Sequence, residues 1–325
     1  MDQAPFFAEI AEGPDGGRAV WIRAVDGVRL RVGHWPISDP VASRGTVFMA
    51  PGRTGYIERY GHLAQRLRAE GLGTFVIDWR GHGLSDRLTQ DRQICHVDRF
   101  TDYQLDLDAM MSAACDLDLP RPWLLVGNSM GAAIALRGLN RGLEMQACAF
   151  VGPMWGITLP PVVRPIAGFL SKSARISGYG DRFVPGQNGQ PYVLKSSFEE
   201  NTMMRNAEEY AYLQSQARAR PELMIGGVSF GWLNESLREC RALAAMPSPS
   251  VPCIAFCGEL DVDVDKDAIR DRMASWPNGR YVPVSEGRHD LLYERQRISE
   301  PVIGQILGLL EPSDEQHSRT HRDLS

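Results

Sequence analysis

An apolar run, Trp123-Leu-Leu-Val, leads directly into Gly127-Asn128-Ser129-Met130-Gly131, and the chain continues as an Ala- and Leu-rich helical stretch to residue 140. A strand that turns into a helix over so few residues strains the backbone of its central serine and brings the chain against itself. The residues two before and two after it must then be very small, as Gly127 and Gly131 are. A strand without polar alternation, followed at once by a helix, suits a parallel sheet covered on both faces.

The flanking chain repeats this logic. Segments 46–50, 74–78, 123–127 and 147–151 read as strands, and 57–70, 102–117 and 130–140 as helices between them. Ahead of them, 19–35 reads as two strands around Asp26-Gly27, a dipeptide suited to a tight hairpin and so to an antiparallel edge. From 152 to 249 the pattern breaks. Prolines stand at 153, 160, 161, 165, 185, 191 and 221, and only 163–174 and 199–217 look helical, which reads as a mainly helical cap inserted after the sixth strand. The alternation resumes with a strand at 252–257, a helix at 266–276, a strand at 280–284 and a helix at 299–310. The expected organisation is a core from 1–151 and 250–311, a cap at 152–249 and a polar tail at 312–325.

The 325 residues are 43% hydrophobic and 23% charged, values of an ordinary globular chain able to bury a large core. A net charge of −5 with dispersed arginines gives no footprint for nucleic acid. The six cysteines are scattered without the paired spacing of a zinc site, so reduced thiols in the cytoplasm are expected, with neither metal nor cofactor. The N-terminus does not read as a signal peptide, and no run approaches the ~18 apolar residues of a spanning helix. A soluble protein is expected, at most peripheral at the inner face of a membrane; the oligomeric state stays open.

A serine hydroxyl is a poor nucleophile until a base in hydrogen-bond reach takes its proton, and histidine titrates in the right range. His34, His62, His82 and His96 precede Ser129, while His317 and His321 lie in the polar tail. His289 follows a late strand, which makes it the candidate base. The acid should follow a strand between the two. Asp261, after Cys257-Gly258, is the first choice, with Glu259, Asp263 and Asp265 as competitors. A tetrahedral intermediate also needs N–H donors for its oxyanion. The backbones of Met130, at a helix start, and Arg53, in a Gly-rich loop after a strand, occupy suitable positions.

These segments together resemble the α/β-hydrolase family that includes bacterial lysophospholipases of the L2 type and monoacylglycerol lipases. The likeness covers most of the chain and rests on 127–131, Asp78-Trp-Arg-Gly-His-Gly-Leu-Ser85, Glu58-Arg59-Tyr60, Ser229-Phe-Gly-Trp-Leu233, Gly258-Glu-Leu-Asp261 and Arg288-His289-Asp-Leu-Leu-Tyr-Glu294. The chain departs from that family at Pro51-Gly52, where the relatives have His-Gly, and at Asn128, where they have His. The resemblance implies an α/β-hydrolase fold and cleavage of a carboxylic ester, such as one acyl chain of a lysophospholipid or monoglyceride, through an acyl-serine. Acyl transfer by the same residues is the alternative, and a non-catalytic binding member of the fold a more distant one. In such a fold apolar cap residues line the acyl pocket. Trp155, Met203, Met204 and Trp232 are the candidates, in a set that also includes Phe169, Leu170, Tyr210 and Met224. The stretch 159–170 could also touch a membrane surface.

Overall fold

The all-apolar segments become strands buried along their whole length. The computed structural model describes residues 1–37, 43–159, 162 and 164–311; the expected polar tail and the histidines in it lie outside the described residues. The chain opens with a short edge strand, β1 (Asp2–Ala4), and a single helical turn, α1 (Ala8–Ala11). The hairpin read from Asp26-Gly27 follows as β2 (Arg18–Arg23) and β3 (Arg29–Trp35), then β4 (Gly45–Ala50). The helix expected at 57–70 begins as a 3-10 turn, Ile57–Tyr60, before α2 (Gly61–Ala69), and leads to β5 (Leu72–Asp78). Next come α3 (Tyr103–Asp116), β6 (Trp123–Asn128), α4 (Met130–Asn140) and β7 (Ala147–Val151).

The strands pair in the order β1-β2-β3-β5-β4-β6-β7 and continue with β8 (Cys253–Gly258) and β9 (Gly279–Val284). Pairs from β1 to β5 are antiparallel, and every pair from β5-β4 onward is parallel. All residues of β4 to β8 are buried, as a sheet covered on both faces requires. The strand period divides them between two cores. Phe48, Phe75, Leu125 and Phe150 pack under α3 and α4, whereas Val47, Val76, Leu124 and Ala149 face α2 and the last helix, α10 (Gln296–Leu307).

Between β7 and β8 lie α5 (Arg164–Ile176), the turn α6 (Tyr192–Lys195), α7 (Ala207–Ala219) and α8 (Phe230–Ala245), and α9 (Lys266–Ala274) joins β8 to β9. Because β1 precedes it, the strand before this long connection is the seventh. The helix read at 199–217 starts only at Ala207. Asn206 caps it, its Oδ1 accepting from the N–H groups of Glu208 and Glu209 at 3.1 and 3.4 Å, so that 199–206 is a turn segment instead.

The antiparallel and parallel parts are joined by a buried charge cluster. Arg31 of β3 donates from Nε to Asp78 Oδ2 at 2.7 Å and from both terminal nitrogens to Glu58 at 2.8 Å, all three side chains being fully buried. Asp78 Oδ1 accepts from the Ile57 N–H at 2.8 Å, so the cluster also fixes the end of the loop that follows β4. The Asp78 to Ser85 motif thus works as a structural turn beneath that loop, with Ser85 Oγ donating to Asp78 O at 2.6 Å.

Candidate active site

Ser129 stands at the sharp turn between β6 and α4 with φ 49° and ψ −114°, a backbone that costs a non-glycine residue about 1–3 kcal/mol unless its surroundings impose it. They do: its N–H donates to Val151 O and its carbonyl accepts from Met154 N–H, both at 3.0 Å. A Cβ on Gly131 would lie 2.0 Å from Ala50 O, and one on Gly127 2.8 Å from Ala132 Cα, which is the physical content of the two required glycines. The Ser129 hydroxyl does not cap the helix it precedes and is left for the cavity beside it.

His289 follows β9 and is buried, with Nδ1 2.7 Å from Asp261 Oδ2. Asp261, on the loop after β8, also accepts on Oδ1 from the N–H groups of Asp263 and Val264 at 2.8 and 3.4 Å. Burial alone would raise the Asp261 carboxyl, but His289 and these amides hold it below the usual range. Burial would likewise lower His289, and the bond to Asp261 outweighs it, leaving the imidazole above its ordinary value. Of the competing acids, Glu259 is exposed and Asp265 caps α9, its Oδ1 accepting from Asp267 and Ala268 N–H groups. Asp263 comes nearer: one side-chain ligand atom each of Asp261, Asp263 and His289 fall within 4.8 Å of one another.

The other described histidines lie outside this cavity. Burial keeps His34 and His82 neutral, pushed down to about 4 and about 3, while His62 lies between Glu12 and Glu209, and His96 meets Ser229 Oγ at 2.8 Å. Ser129 and His289 line one cavity, without a direct hydrogen bond between them among the described residues. In unliganded enzymes of this chemistry that contact often tightens only when substrate arrives.

Met130 opens α4, so its N–H has no intrahelical acceptor and lies at the positive end of the helix dipole. The Pro51 to Gly55 loop faces it. Trp79 Nε1 donates to Pro51 O at 2.9 Å from below, and a Cβ on Gly52 would lie 3.1 Å from Ser129 Cβ, so the loop carrying Arg53 abuts the serine.

The cavity holds about 260 Å³. Two of the four expected substrate-contacting residues, Met203 and Trp232, line it together with Ile157, Leu159 and Val228. Trp155 does not: its ring packs in the core between Phe150 and Trp276, with centroids 5.3 and 6.2 Å away. Met204 is also turned into the core, because Asn201 Oδ1 accepts from the N–H groups of both Met203 and Met204 and tightens the turn between them. In the wider set Tyr210 and Met224 are buried, while Phe169 and Leu170 on α5 point outward, 72% and 47% exposed.

The polar lining includes Asp263, which the sequence offers only as a competing acid, and Arg59, Asn128, Gln187 and Tyr192, which sequence reasoning does not assign to a pocket. Arg59 lies within the Glu58-Arg59-Tyr60 motif and is tied to Asp290, next to the histidine. Spacing along the chain carries no signal for such residues, since four separate segments bring them together.

A family model described as serine aminopeptidase, S33, matches residues 41–296. Lysophospholipase L2 of Escherichia coli strain K12 is 27% identical over 277 residues, covering 80% of this chain and 78% of that one. Monoacylglycerol lipase of Mycolicibacterium smegmatis is 31% identical over 154 residues, 46% of this chain and 52% of the relative. Among solved structures, a soluble variant of monoglyceride lipase from Saccharomyces cerevisiae superposes with a TM-score of 0.71 at 16% identity, covering 94% of this chain and 98% of that one. The family match runs from ahead of β4 into the first residue of α10, across the parallel sheet and the serine turn described above, and the chain therefore belongs to the serine aminopeptidase S33 family of α/β-hydrolases.

Proposed function

We propose that the protein hydrolyses a carboxylic ester of a single-chain lipid, a lysophospholipid or monoglyceride, through an acyl-serine on Ser129. The observation that carries this is the bond of 2.7 Å between His289 Nδ1 and Asp261 Oδ2, made where His289 shares a cavity with a strained Ser129. His289 Nε2 takes the hydroxyl proton as Ser129 Oγ attacks the ester carbon, and the Met130 and Arg53 N–H groups receive the oxyanion. The tetrahedral adduct collapses, His289 returns the proton to the departing alcohol, and water activated by the same base releases the fatty acid. Asp261 stabilises the imidazolium at each stage.

The names of the Escherichia coli and Mycolicibacterium smegmatis relatives support a lipid substrate, as do Met203, Trp232, Ile157 and Leu159 on the cavity wall. Residues 152–249 act in this reading as a cap over the serine. Contact with the inner face of a membrane goes with the same reading. Val162, Ile166, Phe169, Leu170 and Ile176, on or beside α5, are 47–81% exposed, and Lys172 lies among them. No helix among the described residues is long and apolar enough to cross a membrane. All six cysteines are free and five are buried, which supports a reducing compartment.

The test is fatty acid release from palmitoyl lysophosphatidylcholine and monopalmitoylglycerol by the wild-type protein and Ser129→Ala. The variant is expected to lose roughly 10⁴- to 10⁶-fold in kcat. A variant that retains the wild-type rate rejects Ser129 as nucleophile; a wild-type protein inert on both lipids rejects the substrate class.

A further inference from the structure

The cavity contains two arginines, and they are held differently. Arg59 is 9% exposed and ion-paired with Asp290. Arg53 is half-buried and has no carboxylate within 4 Å among the described residues. Its guanidinium lies 5.9 Å over the Trp232 ring, and its only hydrogen bond among the described residues is a long one, 3.5 Å, from Nη1 to Gly226 O. Of the buried arginines, Arg31 meets Asp78 and Glu58 and Arg80 meets Asp26 and Asp106, while Arg272 is held by the Met246 and Leu243 carbonyls. Arg53 carries a full positive charge on the wall of the reaction cavity with most of its donors unused.

Arg53 acts on several groups around the cavity. Its charge bears on buried His82 and Cys95, and on both of them Arg87 acts in the same sense. Burial pushes the Arg87 guanidinium itself down to about 10, and its Nε and Nη1 have no hydrogen-bond partner. Arg53 and Arg87 thus place two positive charges around the same buried pair, His82 and Cys95. Arg53 also acts on the carboxylate of Asp263, which lines the same cavity from the acid loop.

We infer that Arg53 anchors the head-group phosphate of the substrate, so that the site prefers a phosphodiester-bearing lysophospholipid over a neutral monoglyceride. The inference rests on the ester-hydrolase reading above and deepens it. Chemistry favours a phosphodiester because a guanidinium offers paired donors that match two phosphate oxygens, and a charge-assisted pair in a partly desolvated cavity is stronger than a hydrogen bond to a glycerol hydroxyl.

The dimensions agree. An extended arginine side chain reaches about 6–7 Å from its Cα, and six bonds of about 1.5 Å, extended, separate an sn-1 acyl carbon from phosphorus by about the same distance. One residue can thus direct its backbone N–H at the oxyanion and its side chain at the phosphate. Arg53 would thereby hold the reacting ester in register with Ser129.

The experiment compares kcat/KM of the wild-type protein, Arg53→Gln and Arg53→Lys on palmitoyl lysophosphatidylcholine and monopalmitoylglycerol in one neutral detergent. The two lipids share the acyl chain and the lack of net charge and differ in the phosphocholine head group, of which only the anionic phosphodiester can pair with a guanidinium. Arg53→Gln is expected to lower the ratio of lysophospholipid to monoglyceride turnover by about 10- to 100-fold, chiefly through KM, and Arg53→Lys to restore part of it. Parallel losses on both lipids overturn the inference and assign Arg53 to the oxyanion loop alone. Wild-type protein that cleaves neither lipid overturns the lipase reading and this inference together, a result distinct from parallel losses in the variants.

Discussion

At the scale of single residues, the pH behaviour of His289 is the sharpest consequence of the geometry. As the proposed base, His289 works only when unprotonated, so activity should rise with pH through its pKa in the folded protein. Burial lowers that pKa, and the Asp261 bond more than compensates. The acid limb of kcat/KM in the wild-type protein is therefore expected above the unperturbed histidine value of about 6.5. In Asp261→Asn the burial and the nearby Arg59 charge remain while the carboxylate is gone, so the limb should move to lower pH, with kcat down roughly 10³- to 10⁴-fold. A pH–rate profile of both proteins decides this, and an unmoved limb would remove Asp261 from its role. In the sequence, Ser129 was legible from its flanking glycines and His289 from chain order. Asp261 was one of four carboxylates in a seven-residue stretch, 259–265, and only the fold shows which of them reaches the imidazole.

At the scale of elements, the serine turn is the least forgiving place in the chain. In Gly131→Ala the new methyl meets the Ala50 carbonyl at 2.0 Å, and because that atom belongs to a central strand it has nowhere to move. A loss of more than about 3 kcal/mol is expected, read as a large drop in melting temperature or as insoluble protein. Gly304 in α10 is the counter-case: it is exposed and a Cβ there meets nothing within 4 Å. Gly304→Ala should stabilise by about 0.5–1 kcal/mol, or roughly 1–4 °C; a destabilised variant would contradict the helix geometry. The strands and the helices of the sheet were legible because full burial leaves an unbroken apolar signature. β1 was missed because three residues carry no period, and the start of α7 was placed too early because Asn206, the capping residue, lies inside a stretch of helix-compatible sequence.

At the scale of the whole molecule, the charge balance and the apolar surface are separately organised. Phe169 and Ile176 are 72% and 76% exposed on α5, so replacing both with Asp removes nothing from the core. Phe169→Asp with Ile176→Asp should keep the melting temperature and lower sedimentation with phosphatidylethanolamine–phosphatidylglycerol vesicles by about tenfold or more. Equal sedimentation of the double variant and the wild-type protein would remove the membrane-contact reading of α5.

The sequence by itself determined the α/β architecture, the parallel order implied by its crossovers and the serine at its turn. These follow from local rules: burial patterns along a strand, steric limits at a turn and the direction of a crossover. The tertiary structure alone decided which carboxylate reaches His289, what lines the cavity and that Arg53 has no ion-pair partner among the described residues. Trp155 and Trp232 look alike in the sequence, yet one is packed against Phe150 and Trp276 and the other faces the site. That difference depends on which segments meet across the cavity, and chain-distant contacts leave no period for a single sequence to display.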